Sequence, residues 1–226
     1  MAREVFRQEL AEIEHGLVAI SKLVLSAIER ATEALETRDV ALAEQVMTDD
    51  AKIDVYANAL DELAIEILAR QAPVARDLRV VVTGLRVSAS LERMGDIAAH
   101  IAQLTRIRFP EPVAPEAVRS MLSEMGIHDV SIAKQLVLLL DTQEDAIADA
   151  ILEADDDVDR LHRQIFDEML NSDTSYDHAQ VIDATLASRY HERFADHAVS
   201  IAKKIQYLTG GEWIAREPAP LTWREN

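Results

Sequence analysis

Among the acidic pairs at i, i+4 spacing in this chain, four form a matched set: Asp50 with Asp54, Glu92 with Asp96, Asp155 with Asp159, and Glu192 with Asp196. Carboxylates four residues apart lie one above the other on a single helix face. In a chain with 41 acidic residues, such a pair taken alone is a solvated surface feature. Helical phase argues for more. At about 100° per residue, Glu92 and Asp96 fall within about 20° of Leu85, on the face it shares with Leu78, which should be packed. Asp50 shares the stripe of Ala43, Val46, Ala57 and Leu68, with Asp54 at its edge. Heights match as well. Asp50 with Asp96, and Asp54 with Glu92, are each centred on Pro73, so an antiparallel turn there brings four carboxylates to one level. Asp155 with Asp196, and Asp159 with Glu192, share a centre between residues 175 and 176.

Four clustered carboxylates in a partly buried place either share protons or surround a cation, because repulsion and desolvation both penalise the ionised form. The metal ligands expected are therefore Asp50, Asp54, Glu92 and Asp96 at one site, and Asp155, Asp159, Glu192 and Asp196 at the other. The cofactor expected is a divalent or trivalent metal ion, iron, manganese, magnesium or zinc, with all-oxygen ligation favouring the harder ions. Arg93 and Arg193 flank the motifs and could neutralise one charge each. His100, His197 and His162 are weaker candidates for a place near the clusters. Carboxylate-bridged two-metal enzymes carry Glu-x-x-His, whereas Gly95 and Ala195 stand three residues after Glu92 and Glu192. The zinc-protease pattern needs a histidine at 195 and fails for the same reason. No serine triad or phosphate loop is present, and there is no cysteine. A two-metal enzyme and a metal-free helical scaffold remain the alternatives to a non-enzymatic regulator.

The elements that position these acids are helices. Glycine and proline number six each in 226 residues, aromatics make up 4%, and apolar residues 49%, a composition of long helices around a core. The 3.6-residue periodicity predicts helices from about Val5 to Leu35, Asp39 to Ala69, and beyond Pro73 to Ile107. A second set runs from Glu116 to Leu140, Asp145 to Leu170, and Asp177 to Leu208. Thr142 with Asp145 fits a helix-start capping pattern, and Asn171 to Ser175 reads as a polar turn. Residues 88–102 and 188–202 are identical at seven of fifteen positions at an offset of 100. Upstream the halves align at an offset of 105, pairing Leu17 with Leu122 and Asp50 with Asp155. The fold class expected is all-α, a tandem repeat of two three-helix bundles, in residues 1–109 and 110–209, with an irregular tail over 210–226.

The formal charge of −18 repels polyanions and anionic membranes, so no nucleic acid is expected as partner and no membrane insertion. No apolar run approaches the ~20 residues of a membrane span, and no leader-like segment opens the chain, so a cytoplasmic location is the expectation. Long bundle faces tend to retain an apolar strip, which makes a homodimer the expected assembly.

These residues resemble the PhoU family. Gln71 to Arg79, with Pro73-Val74-Ala75 and Asp77-Leu78-Arg79, is similar to that family's Gln-x-Pro-Val-Ala-x-Asp-Leu-Arg segment. Glu92-Arg93-Met94-Gly95-Asp96 and Glu192-Arg193-Phe194-Ala195-Asp196 resemble its duplicated acidic signature, followed by Ile101-Ala102 and Ile201-Ala202. The resemblance covers about residues 1 to 208. It implies tandem three-helix bundles whose acidic motifs hold metal ions or clusters at the eight positions above. It further implies a negative regulator that links the phosphate transporter ATPase subunit to a sensor histidine kinase and restrains phosphate uptake when phosphate is plentiful. Two departures stand out: His100 and Ser200 replace the asparagine common before Ile-Ala, and the second half lacks the Pro-Val-Ala segment.

Overall fold

The computed structural model describes residues 2–171 and 176–210. Among them the chain forms six helices: α1 (Ala2–Thr37), α2 (Val40–Gln71), α3 (Ala75–Arg108), α4 (Glu116–Thr142), α5 (Asp145–Asn171) and α6 (His178–Gly210). The breaks have local causes. Asp39 caps α2, its carboxylate accepting from Leu42 N at 3.0 Å. Ala72 takes a left-handed conformation and Pro73 supplies no donor, so α2 stops and α3 restarts from extended Val74. Gln143 ends α4 in the left-handed region, returning its amide to Leu139 O at 2.8 Å. Thr142 therefore does not cap α5. It lies in the last turn of α4, where its hydroxyl donates to Leu138 O at 3.0 Å. Of the expected polar turn, residues 172–175 lie outside the described residues, as do residues 211–226 of the expected tail.

Helices α1, α2 and α3 pack on one another, as do α4, α5 and α6. The two bundles are not separate beads, because α1 packs on α4 and α3 on α6 within one continuous core. Both central pairs run antiparallel. Along α1 and α4, Glu14 meets Gln143, Glu29 meets Lys134 and Glu36 meets Ser123. Along α3 and α6, His100 stacks on Tyr190 and Arg108 pairs with Asp183. Equivalent helices of a duplicated unit that face each other antiparallel are related by about half a turn. The outer helices α2 and α5 consequently stand at opposite edges, each touching only its own bundle.

The core stripe of α3 is Val81, Gly84, Val87, Leu91, Met94, Ala98 and Ile101. This corrects the face assigned from phase. Leu78 is exposed and Leu85 partly buried, so the side of α3 that bears Glu92 and Asp96 is the flank turned towards α2.

Candidate functional site

In the first bundle, Asp50 and Asp54 on α2 and Glu92 and Asp96 on α3 are all half-buried. Desolvation first, then the charges of Asp96, Asp54 and Glu92, push the Asp50 carboxyl up to about 6. The other three acids thus all lie close enough to act on Asp50. A glycine makes the approach possible. A Cβ at Gly95 would stand 2.9 Å from Asp50 Oδ1 and 2.7 Å from Ile53 Cδ1, so a side chain there would force the ends of those two side chains to move. Arg93 pairs with Asp96 at 2.7 Å along the outer face and leaves the other three without an ion-pair partner among the described residues.

The second bundle repeats this arrangement. Asp155, Asp159 and Glu192 are half-buried and Asp196 is exposed. Desolvation pushes the Asp155 carboxyl up to about 6, with Asp159, Asp196, Asp156 and Glu192 adding repulsion. Glu192 is raised by desolvation and by Asp196, against the lowering influence of Arg189. The counterion is a different residue from the one expected: Arg189 pairs with Glu192, while Arg193 makes no ion pair among the described residues. Glu192 Oε2 is buried with no hydrogen-bond partner.

The donor chemistry fits a hard cation. Each set offers four carboxylates and no thiolate, Glu192 keeps an orphaned buried oxygen, and Gly95 opens the room in which Asp50 meets α3. Among the described residues, however, no three acidic or histidine side chains already converge on a point that could hold an ion. The backbone supplies the level, and the side chains would have to turn inward to close around a metal.

Of the three histidine candidates, His162 lies between α5 and α6, its Nδ1 3.0 Å from Ser188 Oγ. Its pKa is lowered by desolvation and by Arg189, and Asp159 opposes this. His100 belongs elsewhere, stacked on Tyr190 at 5.3 Å between the bundles. His197 is lowered by desolvation and by Arg193. Sequence reasoning passed over two polar side-chain pairs that hold buried aspartates. Asp183, 4% exposed on α6, holds Arg108 at the end of α3 and ties the bundles together. Asp129 on α4 and His191 on α6 are both fully buried and meet at 2.7 Å. The offsets of 105 and 100 would have found the second pair, because they align Asp129 with Val24 and His191 with Leu91.

A family model described as PhoU domain matches the chain twice, over residues 17–105 and 122–205. The chain is 37% identical over 221 residues to the phosphate-specific transport system accessory protein PhoU homolog 1 of Mycobacterium leprae, covering 96% of this chain and 98% of that one. It is 38% identical over 212 residues to PhoU homolog 2 of Mycobacterium tuberculosis, covering 92% and 98%. Among solved structures, the phosphate transport system regulatory protein PhoU from Streptococcus pneumoniae superposes with a TM-score of 0.84 at 26% identity, over 93% of this chain and 99% of that one. PhoU from Pseudomonas aeruginosa gives 0.81 at 26% identity, over 92% and 100%.

Proposed function

The chain belongs to the PhoU family, and from that premise we propose that it is a non-enzymatic regulatory accessory protein of a phosphate-specific transport system. The observation that carries this reading is the match to accessory proteins over nearly the whole length of both chains. In this reading the protein works in the cytoplasm and restrains phosphate uptake when phosphate is plentiful. It does so by contact with the transporter's ATPase subunit and with a sensor histidine kinase. Among the described residues no helix is long and apolar enough to cross a membrane, in keeping with partners that reach it from the membrane side.

The two acid quartets are the metal sites of this reading. Asp50, Asp54, Glu92 and Asp96 would hold one ion or cluster, and Asp155, Asp159, Glu192 and Asp196 the other. A cation there would offset the desolvation and the repulsion that raise Asp50, Asp155 and Glu192, and it would stabilise whichever state binds it. What it supplies is charge neutralisation across the α2/α3 and α5/α6 grooves. Glu92, Asp96, Glu192 and Asp196 sit on the helices that also join the two bundles, so a metal-driven shift of α3 or α6 would be felt at both edges. The assembly proposed is a homodimer built on exposed apolar side chains such as Ile65 and Val74.

The test is affinity capture of the tagged chain from phosphate-replete and phosphate-starved cells, together with phosphate uptake in a strain lacking it. Recovery of the ATPase subunit or the kinase, with uptake raised in the deletion strain, is expected. Recovery of neither under either condition would overturn the adaptor reading. Metal content of the isolated protein, compared with an Asp96→Asn, Asp196→Asn variant, tests the quartets separately.

A further inference from the structure

The register of α3 against α6 is set by His100 on Tyr190 and by Arg108 on Asp183, two contacts whose heights are centred near residue 145. Arg86 and Lys204 share that centre, so two cations stand opposite each other across the seam between the bundles. They are close enough to interact. Burial first, and then the charge of Arg86, lower the Lys204 ammonium. Neither side chain pairs with a carboxylate among the described residues. Lys204 Nζ donates to Ser200 O at 3.0 Å and to Ser200 Oγ, which turns it back along the seam, while Arg86 is exposed.

Like charges set opposite one another cost stability, and the fold does not require them here. The duplication is the control. At the offset of 100 that aligns α3 with α6, Arg86 corresponds to Leu186 and Lys204 to Leu104, and these two leucines stand at matching height at the other end of the same seam. Leu104 is 6% exposed and Leu186 38%. One end of a near-symmetric seam thus carries two aliphatic side chains, and the other carries two cations. His197, whose counterpart is Ile97, extends the difference. Its imidazole is lowered by burial and then by Arg193, Lys204 and Arg93, against Asp196, so positive charge runs on for about 10 Å from Lys204.

Carboxylates flank this end without neutralising it. Measured along the helix axes, Asp77 and Asp96 lie about 14 and 15 Å from Arg86, and Asp196 about 12 Å from Lys204. Arg93 already holds Asp96 at 2.7 Å. On the α5 side, Asp149 accepts from Gln206 at 2.8 Å and Asp145 from Thr209 at 2.9 Å. Asp61, at the height of Arg86 across the α2/α3 groove, is raised by desolvation, as a carboxylate beside a cation would not be. In a chain of net charge −18, two cations are therefore held together without a counterion among the described residues.

The chemistry selects a compact dianion. An arginine fork from one helix and an ammonium from the other approach from two sides. A tetrahedral oxyanion with three free oxygens and a charge near −2 meets them better than a planar carboxylate with one charge. An extended polyanion would run on into Asp96 and Asp196.

We propose that the Arg86/Lys204 end of the α3/α6 seam binds a phosphoryl-type dianion, free or carried on a partner's side chain. The inference is independent of metal in the quartets. It is tested on the full chain, stripped of metal and transferred to chelator-free buffer, so that no anion binds through a metal and no chelator competes. Inorganic phosphate and N-acetyl-O-phosphoserine amide are titrated by calorimetry, with acetate as the planar monoanion, while the Lys204 ε-methylene is followed across pH by ¹H–¹³C NMR.

One phosphate per chain is expected, with a Kd of about 1 mM or tighter. The Lys204 signal should move, and its titration should shift to higher pH as the anion supplies the missing countercharge. Acetate should bind at least about tenfold more weakly. A phosphoserine derivative bound about tenfold more tightly than phosphate would assign the site to a phosphorylated partner, and equal or weaker binding would assign it to the free anion. Arg86→Leu with Lys204→Leu, the pair the other end already uses, should keep the helical circular dichroism, melt no lower than the parent without anion, and lose binding. The proposal is overturned if neither phosphate nor the derivative binds at about 10 mM, where a site of ~1 mM affinity is nine-tenths full. Acetate binding as tightly, a double variant that binds like the parent, or saturation that leaves Lys204 unmoved would each overturn it too.

Discussion

The two bundles are the same three-helix unit solved twice, and the places where the solutions diverge separate what the fold needs from what the chemistry needs. Both keep four carboxylates at one level. Their surroundings differ. In the first bundle Gly95 makes room for Ile53 Cδ1 and for Asp50, whereas the aligned positions of the second hold Ala195 and Val158, which has no such methyl. A carbon added on one helix is removed from its neighbour, a volume-conserving exchange that leaves the groove intact. The counterion moves as well, from Arg93 on Asp96 to Arg189 on Glu192. Packing and ion pairing have been rebuilt around an unchanged set of acids. The converse holds one layer deeper, where apolar Val24 and Leu91 became Asp129 and His191 while the packing plan stayed fixed.

That contrast can be broken most severely at the buried pair. Asp129→Ala alone strands an imidazole in the core and should lower unfolding free energy by roughly 3–5 kcal/mol in urea titration. Asp129→Val with His191→Leu should recover this and stand level with the parent or above it by up to about 4 kcal/mol, because an aliphatic pair carries no desolvation penalty. A double variant as unstable as the single one would mean the second bundle no longer tolerates the packing of the first.

On the proposal that each quartet holds metal, Asp96→Asn and Asp196→Asn should each empty one bundle and leave the other loaded, read as a halving of metal per chain. Loss of all metal from either single variant would show that one shared site exists in place of two. Next in size is Gly95→Ala, expected to cost about 1–3 kcal/mol through overpacking against Ile53. Adding Ile53→Val, which copies the second bundle, should return most of it, and a failure to do so would locate the strain at Asp50 instead.

The smallest effect is a pH slope. Asp50 and Asp155, raised to about 6, keep protons in the folded chain at a pH where the unfolded chain has released them. Folding is then favoured as pH falls through about 6 towards the ordinary aspartate value, and this contribution is lost as pH rises. Metal-free protein should accordingly melt higher at pH 5.5 than at pH 7.5. Asp54, Glu92 and Asp96 facing Asp50, and Asp159, Asp196, Asp156 and Glu192 facing Asp155, set the size of the slope. A cation competes with these protons, so saturating metal should flatten or reverse it.

Much of this was legible in the sequence, and for identifiable reasons. Pro73, Asp39 and the prolines of the linker fix helix ends by covalent geometry and capping, which act locally. The antiparallel turn at Pro73 makes residue numbers a measure of height, so the quartets could be read before any coordinates. Phase read from Leu78 and Leu85 misassigned the buried side of α3, because that helix is wrapped by α1, α2 and α6 and its apolar surface is wider than one stripe. Thr142 carried a helix-start signature, yet α4 runs through it and the left-handed turn falls on Gln143. The merging of the two bundles, and with it Arg108 on Asp183, depends on contacts between residues 75 positions apart that no local pattern encodes. Asp129 and His191 were visible only as a mismatch between the two copies.

The half-turn that relates the bundles sets the valence of the molecule. Although α2 and α5 stand at opposite edges, α3 and α6 pack on each other, so the α2/α3 and α5/α6 grooves flank one seam and present chemically matched acids on either side of it. A single body that straddles the seam would meet both sets at once. Its second contact would then be an intramolecular one, made at high local concentration.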